Sequence, residues 1–202
     1  MPELAELKLT SDYINEEAKN RIFYSIRKNP AHKGQEIEIP FRGFTINAES
    51  QGKELLLTLT QVNSSNSIKL RMTMGMSGHF KWVETGVLSK HSHLKFQSEY
   101  DSLDFVDVRR FGKWKLAESW SDNRGPDPIS NFQEFVRNIK SNLHKKDFDK
   151  PIHEILMNQK YFNGIGNYLR AEILYRVDVN PFISVREALQ NKPEIYHLCK
   201  LL

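Results

Sequence analysis

The sequence has 202 residues, a formal net charge of +4 and 39% hydrophobic residues. This length suffices for one large domain or two small ones, and the positive charge favours an anionic partner. A single cysteine, Cys199, excludes an internal disulfide, and no apolar run is long enough to cross a membrane. Together these features predict an intracellular globular protein that has no membrane partner.

The first residues predict a helix with reactive groups at its N-terminus. Apolar residues at helical spacing predict one buried face, formed by Leu4, Leu7, Ile14 and Ala18. Loss of the start methionine would leave Pro2 with a free secondary amine, and an unperturbed terminal amine has a pKa of about 8. The positive end of a helix lowers that pKa, so Pro2 is a candidate nucleophile with Glu3 beside it as an acid. The alternative is that Pro2 only starts the helix and that the acidic residues only form a solvated face.

Eight short segments after this helix have the alternating or β-branched pattern of strands, and turn-forming residues separate them. The segments are 21–27, 36–48, 54–60, 68–76, 79–84, 93–100, 103–108 and 114–117. Closely spaced strands without intervening helices predict an antiparallel β-sandwich or barrel.

Beyond these strands the pattern becomes helical. Residues 121–130 are polar and rich in turn formers, which predicts a linker. Apolar residues then recur at helical spacing in the segments 132–139, 152–162, 168–175, 184–189 and 193–202. The sequence therefore predicts a strand-rich domain at 1–120 and a helical domain at 131–202.

The loop at 163–167 combines two glycines with the start of a predicted helix. Such a loop can bind phosphate through unpaired backbone N–H groups, with the side chain of Asn167 as a further donor. The alternative, which the local sequence alone favours, is a glycine-rich connection between packed helices. Arg170 is either a phosphate contact or a surface residue. Lys53, at the turn before a strand, can reach into a cleft or remain solvated.

Two turns of the strand-rich domain carry large side chains. Met76 lies in a glycine turn, and Arg109 and Phe111 follow a predicted strand. Exposed apolar side chains beside arginines are what a protein needs to enter a base stack. The alternative is that these residues pack in the core at a turn.

Neither a metal site nor a cofactor is predicted. His91 and His93 could lie on one face of a strand, but without a nearby cysteine we expect them to form hydrogen bonds. Cys199 is expected to be a small buried residue. The sequence has no phosphate-binding P-loop and no dinucleotide fingerprint.

Five motifs in this order resemble the formamidopyrimidine-DNA glycosylase/endonuclease VIII family, and most of all its eukaryotic endonuclease VIII-like 1 branch. The motifs are Pro2-Glu3 with Glu6, then residues 52–55, 75–78, 105–112 and 161–175. The resemblance implies an α+β fold: an N-terminal helix and a two-sheet antiparallel β-sandwich, followed by an all-helical domain with a helix–two-turn–helix. The two domains would flank a DNA cleft.

The resemblance also implies a base-excision-repair DNA glycosylase with AP lyase activity on oxidised bases. Pro2 would form a Schiff base with the deoxyribose, and Glu3 would be the proton donor that opens the sugar. Lys53 would contact a phosphate and donate a proton during β/δ-elimination. The implied DNA ligands are Asn167 for the backbone and Met76, Arg109 and Phe111 for the gap left by the flipped base.

The implied partner is double- or single-stranded DNA with oxidised bases or abasic sites, bound by a monomer in the nucleus. Relatives continue beyond Leu202 with further helices and a two-stranded finger, so we expect a truncated or naturally short form with reduced DNA affinity. Ala5 also stands where relatives often have proline or glycine. Two other functions remain open: a non-catalytic DNA-binding module, and a helical interaction domain joined to an unrelated sandwich.

Overall fold

The computed structural model describes residues 2–84, 87 and 89–201. Met1, whose removal is predicted above, and Leu202, the end of the last predicted helix, lie outside the described residues. The chain divides into two compact units. The first contains Pro2, Glu6–Ser50 and Glu54–Trp120, and the second contains Glu3–Ala5, Gln51–Lys53 and residues 121–201.

Helix α1 spans Leu4–Glu17 and confirms the predicted buried face. All four of its predicted core residues are at most 4% exposed: Leu4, Leu7, Ile14 and Ala18. Leu4 belongs to the core of the second unit and the other three to the core of the first. Pro2 precedes the helix by two residues, as the sequence predicts.

The described residues of the first unit form eight strands in two four-stranded antiparallel sheets. The strands are β1 (Ser25–Lys28), β2 (Phe44–Gln51), β3 (Glu54–Gln61), β4 (Ser67–Thr73), β5 (His79–Glu84), β6 (Ser92–Gln97), β7 (Asp101–Val106) and β8 (Lys113–Leu116). One sheet has the order β1-β6-β7-β5 and the other β2-β3-β4-β8.

Side-chain alternation explains how these strands form a sandwich. In β2, Phe44, Ile46 and Ala48 are buried while the residues between them are exposed, the period of two expected for a half-buried strand. Phe105 of one sheet contacts Trp114 of the other, with ring centroids 6.0 Å apart and ring planes at 81°. The two inner faces therefore enclose one core, and the predicted antiparallel sandwich is confirmed.

One predicted strand is much shorter than expected. The segment 36–48 becomes a strand only at Phe44, and residues 36–43 form no strand. Pro40 lies within this stretch, and proline cannot donate a hydrogen bond to a neighbouring strand. An apolar pattern alone does not reveal where such pairing stops.

The second unit is helical, which confirms the predicted all-helical domain. Its described helices are α2 (Phe132–Asn142), α3 (Ile152–Ile155), α4 (Asn167–Arg176), α5 (Val185–Asn191) and α6 (Ile195–Leu201), with a 3₁₀ turn at Lys146–Asp149. The predicted helical stripe 152–162 is helical only over α3. The side chain of Asn158 binds the amide of Lys160 at 3.1 Å, a local bond that competes with a continuing helix. None of the helices in the described part of the chain is both long and apolar enough to cross a membrane.

Candidate functional site

The carboxylate of Glu3 lies at the N-terminus of α4, within the second unit. Glu3 is 1% exposed and accepts hydrogen bonds from the amides of Gly166, Leu169 and Tyr168 at 2.8, 3.2 and 3.3 Å. N–H groups at the start of a helix have no partner in the helix, and the helix dipole favours an anion there. The amides that sequence reasoning offers to a phosphate are therefore bound by an acid of the chain itself.

Lys53 lies on the turn before β3, and this turn is fixed within the second unit. Gly52 has a φ of +60°, and its amide donates to Asp127 Oδ2 at 2.6 Å. Lys53 Nζ donates to the carbonyl oxygen of Ile165 at 2.9 Å. The half-buried amine of Lys53 is thus bound to the glycine loop that precedes α4.

The surroundings of Lys53 lower the pKa of its amine. Burial is the main cause, because a charged group loses hydration there. Glu3 opposes this effect and raises the pKa, whereas the cation of Arg124 lowers it. The net result is a pKa below the usual value for lysine, which makes the ammonium group a stronger acid and a larger part of the amine neutral.

The loop at 163–167 packs so tightly that only glycine fits at two of its positions. Gly164 has a φ of +96°, and a Cβ there would lie 2.6 Å from Leu4 Cδ1. A Cβ on Gly166 would lie 1.9 Å from Glu3 Oε1. Both glycines therefore allow close approach by residues 3 and 4. The positive φ proposed for this loop is observed at Gly164, whereas Gly166 has a φ of −125°.

Glu3 and Lys53, two of the three predicted catalytic residues, thus converge on one loop. Pro2, the third, is half-buried and immediately precedes Glu3 in the chain, and it is grouped with the first unit. Asn167 is the first residue of α4 and is exposed. Among the described residues its side chain makes no hydrogen bond, so its amide group faces solvent.

Met76, Arg109 and Phe111 lie on two loops of the first unit. Met76 is 45% exposed and Phe111 is 52% exposed, so packing in the core does not explain either side chain. The guanidinium carbon of Arg109 lies 5.1 Å from the centre of the Phe111 ring, a cation–π distance. The two loops thus present apolar and cationic groups to solvent.

A buried carboxylate, that of Asp107, holds both of these loops. Asp107 Oδ1 accepts hydrogen bonds from the Ser77 hydroxyl and from the amide of Arg109, the latter at 3.1 Å, and Oδ2 accepts from the amide of Gly112 at 2.7 Å. Burial alone would raise the pKa of Asp107, but the bonds from Ser77 and these backbone amides hold it below its usual value. Hydrogen bonds to Asp107 consequently hold the backbone of the two loops although their side chains are exposed.

The predicted histidine pair does not lie on one strand. Strand β6 begins at Ser92, so His91 lies outside it, and an irregularity between Ser92 and Leu94 buries His93. Because a carbonyl oxygen can only accept, His93 Nε2 donates to the backbone oxygen of Asp107 at 2.7 Å. In the described part of the chain, no group of three or more His, Cys, Asp or Glu side chains could hold a metal ion.

The sequence pattern did not predict the polar residues that hold these loops, namely Asp107, Arg124, Asp127 and Gln159. It also did not predict that the side chain of Asn163 is buried. For Asp107 a signal existed, because it continues the inward-facing positions of Leu103 and Phe105 at a period of two. Asp127 lies in a Gly-Pro-Asp-Pro segment that has the composition of a flexible linker. Its burial follows only from tertiary packing.

Comparison with known proteins places these observations in a family context. Residues 1–114 match the family model described as the formamidopyrimidine-DNA glycosylase N-terminal domain. Endonuclease 8-like 1 of Homo sapiens is 39% identical over 199 residues, covering 94% of this chain and 51% of that protein. Its Mus musculus counterpart is 40% identical with the same coverage. The formamidopyrimidine-DNA glycosylase of Prochlorococcus marinus (strain MIT 9301) is 28% identical, covering 95% of this chain and 74% of that protein. The chain therefore spans about half the length of its mammalian relatives.

Solved structures share the fold. The Lactococcus lactis Fpg (MutM) protein in complex with DNA containing an oxidised pyrimidine matches with a TM-score of 0.80 at 21% identity, over 98% of this chain and 76% of that one. The MutM (Fpg) protein of Thermus thermophilus matches with a TM-score of 0.74 at 22% identity, over 98% and 73% of the two chains. At these identities the likeness concerns the fold.

Proposed function

This chain belongs to the formamidopyrimidine-DNA glycosylase family, and on that premise we propose that it is a base-excision-repair DNA glycosylase that removes oxidised bases. We further propose an associated AP lyase activity that uses the amine of Pro2. The observation that carries the proposal is the convergence of Glu3 and Lys53 on the loop before α4. An acid and a cation of lowered pKa are what amine catalysis beside a phosphate requires.

The proposed reaction starts when the neutral amine of Pro2 attacks C1′ of the deoxyribose. The bond from C1′ to the base breaks, and the base leaves with the bonding electron pair and takes up a proton from water. Glu3 receives the proton that the attacking nitrogen gives up and passes it to the ring oxygen, which leaves C1′ as the iminium forms.

Strand cleavage follows from the iminium. A water molecule accepts a proton from C2′, the electron pair of that C–H bond forms a C2′–C3′ double bond, and the bond from C3′ to the phosphate oxygen breaks. Lys53 donates a proton to that oxygen. In the structure the amine of Lys53 donates to the carbonyl oxygen of Ile165, and it would exchange this partner for a phosphate oxygen. A lowered pKa supports this role, because it makes the ammonium group a better acid.

The exposed residues of the first unit fit the other requirement of such an enzyme. Extruding a base from a duplex costs a few kcal/mol, and side chains that fill the gap offset part of that cost. Met76, Arg109 and Phe111 are exposed on loops whose backbone is hydrogen-bonded to Asp107, which supports this role. Asn167 would bind the DNA backbone through its exposed side chain.

Borohydride trapping tests the proposal. The mature chain, with its N-terminus verified by mass, is incubated with duplex DNA containing an oxidised base, and reduction should fix a covalent adduct. A chain with an uncleaved N-terminal tag should bind DNA but give no adduct, while the same tag at the C-terminus serves as the matched control. Absence of an adduct at saturating DNA, with a free Pro2 amine, would count decisively against the proposal.

The second candidate is a DNA-binding module without catalysis, favoured by the hydrogen bonds that hold Glu3 on three backbone amides and Lys53 on the carbonyl oxygen of Ile165. It predicts salt-dependent duplex binding with no adduct, and no change when the terminal amine is blocked. A nuclear location accompanies either candidate as a proposal, since both act on DNA.

A further inference from the structure

Gln159 uses its whole side-chain amide to hold the loop that binds Lys53. Its Oε1 accepts from the amide of Gly164 at 3.0 Å, and its Nε2 donates to the carbonyl oxygens of Met157 and Ile165 at 3.0 and 2.9 Å. The oxygen of Ile165 is the same one that accepts from Lys53 Nζ. Gln159 therefore fixes the acceptor to which the amine of Lys53 is bound.

Arg124 is bound to the same network from the other side. Its Nη1 donates to Gln159 Oε1 and to Asn163 Oδ1, both at 3.2 Å. Asn163 is fully buried, and its Nδ2 donates to the carbonyl oxygen of Gly125 at 2.8 Å. Two amide oxygens thus hold the guanidinium group in place within the second unit.

The turn that carries Lys53 is packed against one of these two amides, the side chain of Asn163. A Cβ on Gly52 would lie 1.9 Å from Asn163 Oδ1, the atom that accepts from Arg124. The residue before Lys53 and the anchor of Arg124 are therefore in direct contact. A displacement of Arg124 would be transmitted to Lys53 through a fully buried side chain.

We propose that Gln159 and Arg124 are positioning residues for Lys53. Gln159 fixes the carbonyl oxygen that binds the amine of Lys53, and the guanidinium group of Arg124 is a second positive charge near that amine. This inference rests on the proposed lyase function of Lys53. Of the charged groups that act on this amine, Glu3 raises its pKa and Arg124 lowers it, in addition to the larger effect of burial. Arg124 thereby contributes to the acidity of the ammonium group that protonates the leaving phosphate.

The test is the pH dependence of strand cleavage on DNA with a preformed abasic site, which bypasses base removal. Arg124→Met removes the neighbouring cation, so the alkaline limb of kcat should move to higher pH. The ammonium group becomes a weaker acid, so kcat at pH 7 should fall, by about tenfold at most. Arg124→Lys keeps the charge and should leave the limb near that of the unsubstituted chain. If both profiles match the unsubstituted chain, the positioning role is wrong.

The split between kcat and KM separates positioning from simple DNA binding. A phosphate contact by Arg124 would raise KM and reduce the salt dependence of binding without moving the limb, and this outcome would overturn the inference. Gln159→Glu keeps the shape, removes both N–H donors and adds an anion near Lys53. It should move the limb in the same direction as Arg124→Met while KM changes little.

A measurement without DNA keeps the inference testable if a variant cleaves poorly. NMR titration of the ¹³C-labelled lysine side chains in the folded protein should show Lys53 titrating at higher pH in Arg124→Met than in Arg124→Lys. If trapping fails but this difference is present, the proposed function is wrong and the coupling stands. If trapping succeeds and the difference is absent, only the positioning role is wrong.

Discussion

In two regions of the molecule a buried carboxylate binds the backbone amides of a loop, but the functional side chains are bonded within the chain in one region and exposed in the other. In the buried loop, residues 163–167 with Glu3 and Lys53, a buried acid binds backbone amides and the functional side chains are themselves bound within the chain. In the exposed loop pair, residues 74–78 and 107–112, a buried acid again binds backbone amides. There, however, Met76 and Phe111 extend into solvent.

The difference separates two kinds of function. Proton transfer requires groups at fixed distances in surroundings that change their pKa, so the polar side chains must be buried and bonded. Insertion into a base stack requires apolar surface that stays exposed until DNA binds. The backbone that carries this surface should already be ordered, so that binding does not have to offset the entropy cost of ordering it. We therefore expect substitutions in the buried loop to affect stability and chemistry together, and substitutions in the exposed loop pair to separate them.

The largest expected effect is that of Gly52→Ala. Gly52 has a φ of +60°, and the new Cβ would lie 1.9 Å from Oδ1 of the fully buried Asn163. Strain in the left-handed region and the loss of buried hydrogen bonds should together cost about 4 kcal/mol of unfolding free energy. Urea denaturation followed by circular dichroism measures this loss.

Gly43→Ala is the matched control for Gly52→Ala. Its Cβ would meet only ordinary contacts, with Ile22 Cγ2 at 3.5 Å and Val62 Cγ2 at 3.7 Å, and its φ lies outside the left-handed region. This variant should be neutral or stabilised by up to about 1 kcal/mol. If the two variants lost the same unfolding free energy, the close approach of Asn163 to Gly52 would not contribute to stability.

Asp107→Asn should have the next largest effect. The neutral amide turns an acceptor oxygen into a donor opposite N–H and O–H donors, which should cost about 2 kcal/mol of unfolding free energy near pH 7. The folded pKa of Asp107 is lowered, so its ionisation stabilises the fold above the unfolded pKa of about 3.9. This stabilisation is lost as the pH falls through the folded pKa.

Acid titration of stability isolates that contribution. The gap between the unsubstituted chain and Asp107→Asn should be widest above about pH 5 and should narrow as the pH falls below the unfolded pKa. Asp122 is exposed, and Asp122→Asn should leave the whole curve almost unchanged. A gap that stays constant with pH would show that the charge of Asp107 does not matter.

The contrast between the two regions also marks how far the sequence could predict this molecule. The sandwich and the helices followed from side-chain periodicity, and Gly164 and Gly166 indicated a tight loop because glycine alone permits such approach. The partners of that loop could not be predicted. Asp127 is more than 70 residues from Gly52 in the chain, and only tertiary packing turns a segment with linker composition into its hydrogen-bond acceptor. Exposure of Met76 and Phe111 was predicted from what entry into a base stack requires. The sequence pattern itself allowed either exposure or a place in the core.

The smallest effect on stability, and the sharpest separation from function, is expected for Phe111→Ala. The ring is half-exposed and loses mainly its contact with the Arg109 guanidinium, so the unfolding free energy should fall by less than about 1 kcal/mol. If the ring fills the gap beside a flipped base, affinity for duplex DNA with an abasic site should fall about tenfold.

Tyr100, which is 75% exposed in the same unit, supplies the aromatic control: Tyr100→Ala should change neither the unfolding free energy nor the affinity for DNA. Equal affinity of the two variants in a fluorescence titration would place DNA elsewhere on the protein, since exposed aromatic surface would then contribute nothing at the loop pair.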